Sequence, residues 1–211
     1  METRVLIIDD HPIFRRGLKE TLSDAPDMLV AGEADSGPEA LEAVDRNEYD
    51  VVLLDLSMDG MNGLEVLAQL KIRHPALPVL ILSFHPEEEY AVRCIRSGAA
   101  GYLMKHGPPD ELLTAIRKVW KGGKYVTPSL AEALAFEVED PSDACPHENL
   151  SQREYEVMCH ITRGMRGKDI AEKLQVSPKT VSSYRARILK KMGMNNNAEL
   201  VRYGMKQGLT D

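Results

Sequence analysis

Cysteine is scarce in this chain, and what there is does not pair: Cys94, Cys145 and Cys159 form no CxxC motif and are odd in number. Buried or incidental thiols fit this usage, whereas a disulfide framework or a cysteine metal site does not. The six histidines lack ligand spacing, so a structural zinc site is not supported either. No apolar run approaches the ~20 residues of a membrane-spanning helix, and the start of the chain lacks the basic-then-apolar form of a signal peptide. A cytoplasmic protein with no membrane partner is expected. Internal repeats and low-complexity tracts are absent as well.

Basic residues are missing from one stretch altogether. Residues 129–146 carry 5 acidic side chains and no Lys or Arg, whereas residues 1–128 carry 14 basic and 21 acidic and residues 147–211 carry 12 and 7. The net charges are therefore −7, −5 and +5. At 211 residues the chain is long for one domain and short for two large ones. An acidic domain at 1–122, a linker at 123–147 and a basic domain at 148–211 satisfy both observations, with polyanion binding placed in the last. Within the linker, Ser129 to Glu139 has helical periodicity. Asp140 to Glu148 has two prolines and no helical register, the composition of a tether.

The first domain holds five short apolar segments rich in branched residues: Arg4 to Ile8, Met28 to Ala31, Tyr49 to Leu54, Val79 to Leu82 and Gly101 to Met104. Amphipathic stretches of helix length separate them, the last running from Asp110 to Lys121 and stopped by Gly122-Gly123. This is the pattern of parallel strands buried on both faces with crossover helices between them, an α/β doubly wound domain. Four of the segments lead straight into polar residues: Asp9-Asp10, Asp55, Ser83 and Lys105. In an open α/β sheet ligands gather at the carboxyl ends of the strands, so these residues form one site.

Their chemistry is that of an aspartyl-phosphate site. Asp55, held at the end of a central apolar strand, is the candidate nucleophile. Asp9 and Asp10 offer hard oxygen ligands for Mg²⁺. Lys105 can neutralise one phosphoryl oxygen and Ser83 can hydrogen-bond another.

The motifs VLIIDDHP, VVLLDLSM, LILS and GAAGYLMK, in that order, resemble the receiver domain of two-component response regulators over residues 1–122. The resemblance implies a flavodoxin-like sheet of order 2-1-3-4-5, for which a receiver is itself a standard example. It implies that Asp55 is the phosphoacceptor, that Asp10 binds Mg²⁺ directly and Asp9 partly through water, and that the Ser57 carbonyl completes the ligands. Ser83 and Tyr102 match the family's switch pair: the Ser83 hydroxyl moves to the phosphoryl group and the Tyr102 ring turns inward. Asp59 stands where the family usually has proline. Phe84 is bulkier than the residue often found beside the switch serine and is expected to narrow access. Ser57 and His85 occupy positions that in receivers influence acyl-phosphate hydrolysis.

The basic domain shows four helices, Gln152 to Arg163, Gly167 to Leu174, Pro178 to Met192 and Asn197 to Lys206, with Ser151 and Ser177 as N-caps. The brief Gln175-Val176 joins the second and third in a helix-turn-helix. Val181, Ile188 and Met192 share one face of the third helix, leaving Lys179, Ser182, Ser183, Ala186, Arg187 and Lys190 for a major groove. This region, with Lys168-Asp169-Ile170-Ala171 and Lys179-Thr180-Val181, resembles the LuxR-type output domain. The whole chain resembles the NarL/FixJ subfamily.

By that resemblance the residues just after Thr180-Val181, here Ser182, Ser183 and Ala186, read bases. Lys179, Arg187, Lys190 and Lys191 contact phosphates, which position without specifying. The last helix dimerises through Ala198, Val201 and Met205. The expected protein is a DNA-binding regulator and not an enzyme, phosphorylated on Asp55 by a sensor histidine kinase. Promoter DNA, a second copy of the chain and RNA polymerase are its further expected partners. Two alternatives stay open: a DNA-binding regulator indifferent to phosphorylation, and a Mg²⁺-dependent aspartyl-phosphate phosphohydrolase.

Overall fold

The structure, a computed structural model, describes residues 2–58, 60–138, 146–207 and 209. Asp59, Cys145 and the expected tether up to Cys145 lie outside them. The chain divides into two compact units, Met1–Glu139 and Asp140–Asp211.

In the first unit the branched apolar segments become strands because both of their faces are covered. β1 (Thr3–Ile8), β3 (Val51–Asp55) and β4 (Val79–Ser83) are buried at nearly every position. Together with β2 (Met28–Ala34) and β5 (Gly101–Met104) they form one parallel sheet of order β2-β1-β3-β4-β5. Helices α1 (Pro12–Ser23), α2 (Gly37–Arg46), α3 (Gly63–Arg73), α4 (Glu87–Arg96) and α5 (Pro109–Trp120) make the crossovers. Val5, Ile7, Leu53 and Leu80 meet Leu22 and Ile116 in the core. The flavodoxin-like doubly wound fold is thus the one that forms.

Two strands differ from the expectation by two residues or more at one end. β2 continues to Ala34, with its register against β1 shifting between Val5 and Leu6. The extra residues Gly32 and Glu33 lie on an edge strand, where one side meets water and the apolar run stops early. β3 begins at Val51 because Asp50 is engaged otherwise: its carboxylate accepts the Arg4 N–H at 2.7 Å.

The outer edge of β5 is covered by the chain itself. Tyr125 makes a single parallel bridge to Gly101, and its N–H donates to the Ala100 carbonyl at 2.8 Å. A free strand edge is a template for unwanted pairing, so this cover protects the sheet. The chain then enters α6 (Pro128–Val138), the helix expected in the linker, which packs on α4 within the first unit. The Thr127 hydroxyl accepts the Leu130 N–H at the start of α6 and donates to Glu87 of α4.

The second unit contains α7 (Gln152–Thr162), α8 (Gly167–Lys173), α9 (Pro178–Met192) and α10 (Asn197–Lys206). A complete capping box starts α7: Ser151 Oγ accepts the Glu154 N–H, and the Glu154 carboxylate accepts the Ser151 N–H. Ser177 caps α9, and Gly193 ends it in the left-handed region. Between α8 and α9 the tight turn places Gln175 at φ 53°. Val181, Ile188 and Met192 are buried, and this apolar stripe fixes which face of α9 looks outward. Among the described residues no helix is long and apolar enough to cross a membrane.

Candidate functional site: a carboxylate pocket and a helix-turn-helix

The parallel sheet brings the polar strand ends together. Asp9 follows β1, Asp55 ends β3, Ser83 ends β4 and Lys105 follows β5. Asp9, Asp55 and Ser83 are all at most 1% exposed. The Lys105 ammonium lies 2.7 Å from Asp9 Oδ2 and 2.8 Å from Asp55 Oδ2. Asp55 Oδ1 accepts the Ser57 N–H at 3.1 Å, which orients the carboxylate. Burial pushes the Asp55 carboxyl above the usual carboxylate range. Lys105 and the Ser57 N–H pull it back without cancelling the rise, and the Asp9 charge adds to it.

Close approach of α3 to the end of β3 depends on Gly63. A Cβ there would stand 2.3 Å from the Asp55 carbonyl oxygen. Asn62 caps α3 by accepting the Glu65 N–H at 3.1 Å, so the loop carrying Asp55 is closed by a fixed helix start.

Asp9, Asp10, Asp55 and His11 place one ligand atom each within 4.8 Å of one another. The cluster holds three carboxylates, and one ammonium, that of Lys105, pairs with two of them. This surplus of hard, negative oxygen donors fits Mg²⁺, which binds through a few carboxylates and keeps several waters. His11 was not anticipated. Its Nδ1 lies 2.8 Å from Asp10 Oδ1, 3.4 Å from Asp9 Oδ1 and 3.7 Å from Asp55 Oδ2, and its only sequence signal is its adjacency to Asp9-Asp10.

The residues expected to form the switch all converge on His85. Ser83 Oγ accepts the His85 N–H at 3.0 Å, and the Tyr102 hydroxyl donates to the His85 carbonyl at 2.8 Å. Ser57 Oγ lies 3.0 Å from His85 Nε2, and the imidazole rests on Tyr90 with ring centroids 4.5 Å apart. The Tyr102 ring is buried, 1% exposed.

In the second unit Lys179, Ser182, Ser183, Ala186, Arg187 and Lys190 line the outward side of α9, with Thr180 half-buried at its start. The Arg187 guanidinium stacks 5.1 Å from the Tyr184 ring centroid. Lys191 is placed differently from the others: its ammonium donates to Glu154 Oε2 at 2.6 Å, so an internal acid already balances its charge. On α10, Ala198 and Met205 are exposed and Val201 is half-buried.

A buried aspartate pocket on one unit and a helix-turn-helix on the other are the two halves of a signal-responsive DNA-binding regulator. Comparison with known proteins agrees in both halves. The response regulator receiver domain model matches residues 5–117, and that of bacterial regulatory proteins of the luxR family matches residues 148–204. The response regulator UvrY of Escherichia coli is 36% identical over 97% of this chain and 94% of its own. GacA of Pseudomonas protegens is 36% identical over 99% and 98%.

Among solved structures, the response regulator ChrA of a heme-sensing two-component system aligns over 99% of this chain and 98% of its own, at 31% identity and TM-score 0.52. An RcsB–DNA complex aligns over 96% and 98% at 26% identity and TM-score 0.60. The chain belongs to the two-component response regulators of the NarL/FixJ type, with a LuxR-type DNA-binding domain.

Proposed function

We propose that Asp55 accepts a phosphoryl group from a sensor histidine kinase and that this modification controls binding of the second unit to promoter DNA. The observation that carries the reading is the buried Asp55 carboxylate at the end of β3, 2.8 Å from the Lys105 ammonium and grouped with Asp9 and Asp10. Asp9, Asp10, Asp55 and the Ser57 carbonyl would hold Mg²⁺, whose charge offsets that of the phosphoryl oxygens in the transition state. Lys105 takes one phosphoryl oxygen and Ser83 another. Because Ser83 and Tyr102 both hold His85, a Ser83 hydroxyl drawn to the phosphoryl group releases the His85 N–H. The β4–α4 loop then repacks against Tyr102.

The receiver occupies 1–122, the linker 123–147 and the output domain 148–211. Phosphorylation favours a homodimer formed through Ala198, Val201 and Met205. A two-fold dimer reads an inverted repeat, with Ser182, Ser183 and Ala186 toward the bases and Lys179, Thr180, Arg187 and Lys190 on the backbone. The first unit assists only its own phosphoryl transfer and hydrolysis. The protein works in the cytoplasm, and RNA polymerase is a candidate partner at the promoter.

Incubation with Mg²⁺ and acetyl phosphate, followed by intact-mass measurement and titration onto promoter DNA, tests this. A phosphoryl adduct in the wild type, absent from Asp55→Ala, with tighter DNA binding only by the modified protein, is expected. Equal DNA binding with and without the adduct would sink the gating.

A further inference from the structure

His11 stands at the N-cap of α1, where a Ser, Asp or Asn side chain would accept a free helix N–H, yet its own side chain caps nothing. The imidazole turns the other way, into the acidic cluster. Its Nδ1 lies 2.8 Å from Asp10 Oδ1, 3.4 Å from Asp9 Oδ1 and 3.7 Å from Asp55 Oδ2. Adjacent donors around an octahedral cation with bonds of about 2.1 Å stand about 3 Å apart. The nitrogen is therefore placed among the three carboxylates as a fourth donor is, with one ligand atom from each residue within 4.8 Å of the others.

The backbone holds it there. The His11 N–H donates to Asp9 Oδ1 at 2.7 Å, and the Arg15 guanidinium, from the first turn of α1, donates to the Asp9 carbonyl at 2.5 Å. Pro12 at the first helical position fixes the chain just beyond. The pocket is closed on one side and open on the other: the side chains of Asp9 and Asp55 are 1% exposed, that of Asp10 22% and that of His11 58%. An ion pair this exposed contributes little to stability, so pairing with Asp10 does not by itself account for the place of the imidazole.

We infer that His11 Nδ1 is a ligand of the pocket's divalent cation and shifts the selectivity of the pocket from Mg²⁺ toward a first-row transition ion such as Mn²⁺. The inference rests on the reading of Asp9, Asp10 and Asp55 as a cation site. Mg²⁺ is a hard ion that takes oxygen donors and keeps several waters, and it gains little from an imidazole. A transition ion binds the same oxygens and gains from the nitrogen as well. Three carboxylates alone offer only oxygen; the imidazole beside them makes a mixed set that discriminates. The exposed His11 side also gives the ion a path of entry.

The test uses the full chain as wild type, His11→Ala and His11→Asn, the last offering an oxygen donor and a good N-cap in place of the ring. Mn²⁺ and Mg²⁺ are titrated separately by calorimetry, and the electron spin echo of bound Mn²⁺ is examined for modulation by a coordinated nitrogen. Modulation is expected in the wild type and not in either variant, with Mn²⁺ affinity falling about 10-fold and Mg²⁺ affinity staying within about 2-fold of wild type. Because Asn keeps a cap, its agreement with Ala separates loss of a ligand from loss of the helix start.

A wild type that binds Mn²⁺ without nitrogen modulation overturns the inference and leaves the carboxylate site standing. So does modulation that survives in His11→Ala, or in Asp10→Ala/Asp55→Ala, where it must come from another histidine. A gain in affinity for both ions in His11→Ala also overturns it, since the imidazole then merely occupies the cation's place. If the wild type binds neither ion at millimolar concentration, the reading of the carboxylates as a cation site falls, and the role of His11 with it.

Discussion

Lys105 places a buried ammonium between two carboxylates of the first unit. It faces two buried carboxylates, while Asp10 and His11 complete the rim. A charge taken out of water is tolerated only when paired, and removing one partner of a buried pair leaves the other uncompensated. Lys105→Met keeps the length of the side chain and deletes the charge, leaving Asp9 and Asp55 to repel each other. Unfolding by urea should show a loss of about 3–5 kcal/mol without Mg²⁺. Because Mg²⁺ would bind the folded carboxylates and not the unfolded chain, millimolar Mg²⁺ should recover more stability in the variant than in the wild type. Equal Mg²⁺ stabilisation of both proteins would contradict the assignment of these carboxylates to a cation.

Among the elements, α7 shows how a local motif and a distant partner combine. Its Glu154 closes the capping box with Ser151 and also accepts from Lys191 of α9. Burial alone would raise the Glu154 carboxyl, but the Lys191 and Ser151 hydrogen bonds outweigh it and hold the carboxyl below its usual value. A depressed carboxylate stabilises the fold above its unfolded pKa of about 4.3, and that contribution is lost as pH falls through the lower folded value. Glu154→Gln should therefore cost about 1 kcal/mol at neutral pH, with the difference from wild type vanishing in acid, as denaturant melts at several pH values would show.

The start of α7 was legible in the sequence in Ser151 as its N-cap; the tie of Glu154 to Lys191 was not, since 37 residues separate the two. The same division runs through the first unit. Strands covered on both faces announce themselves as apolar runs, and Asp9, Asp10, Asp55, Ser83 and Lys105 could be placed at their ends. The extension of edge strand β2 through Gly32 and Glu33 left no such pattern. His11 reaches the site only through the geometry of the β1–α1 turn, and no periodicity points to it.

At the scale of the whole molecule, the separation of charge decides how DNA is met. The first 128 residues carry net −7 and the last 65 carry net +5, so polyanion binding falls to the second unit. Lys179, Arg187 and Lys190 lie on the outward side of α9, whereas the charge of Lys191 is balanced by Glu154. If each of the first three neutralises one phosphate per protomer, the proposed dimer releases about six counterions. The slope of log K against log salt is then about −5. Fluorescence anisotropy of the phosphorylated protein on promoter DNA at several salt concentrations measures this directly. Arg187→Ala should reduce the slope by about 2, because each protomer then leaves one phosphate unneutralised, and weaken binding to all sequences alike. Lys191→Ala should leave the slope nearly unchanged. A reduction of about 2 for Lys191→Ala would mean that Lys191 abandons Glu154 on DNA. The capping interaction that stabilises α7 would then compete with the DNA for the same ammonium.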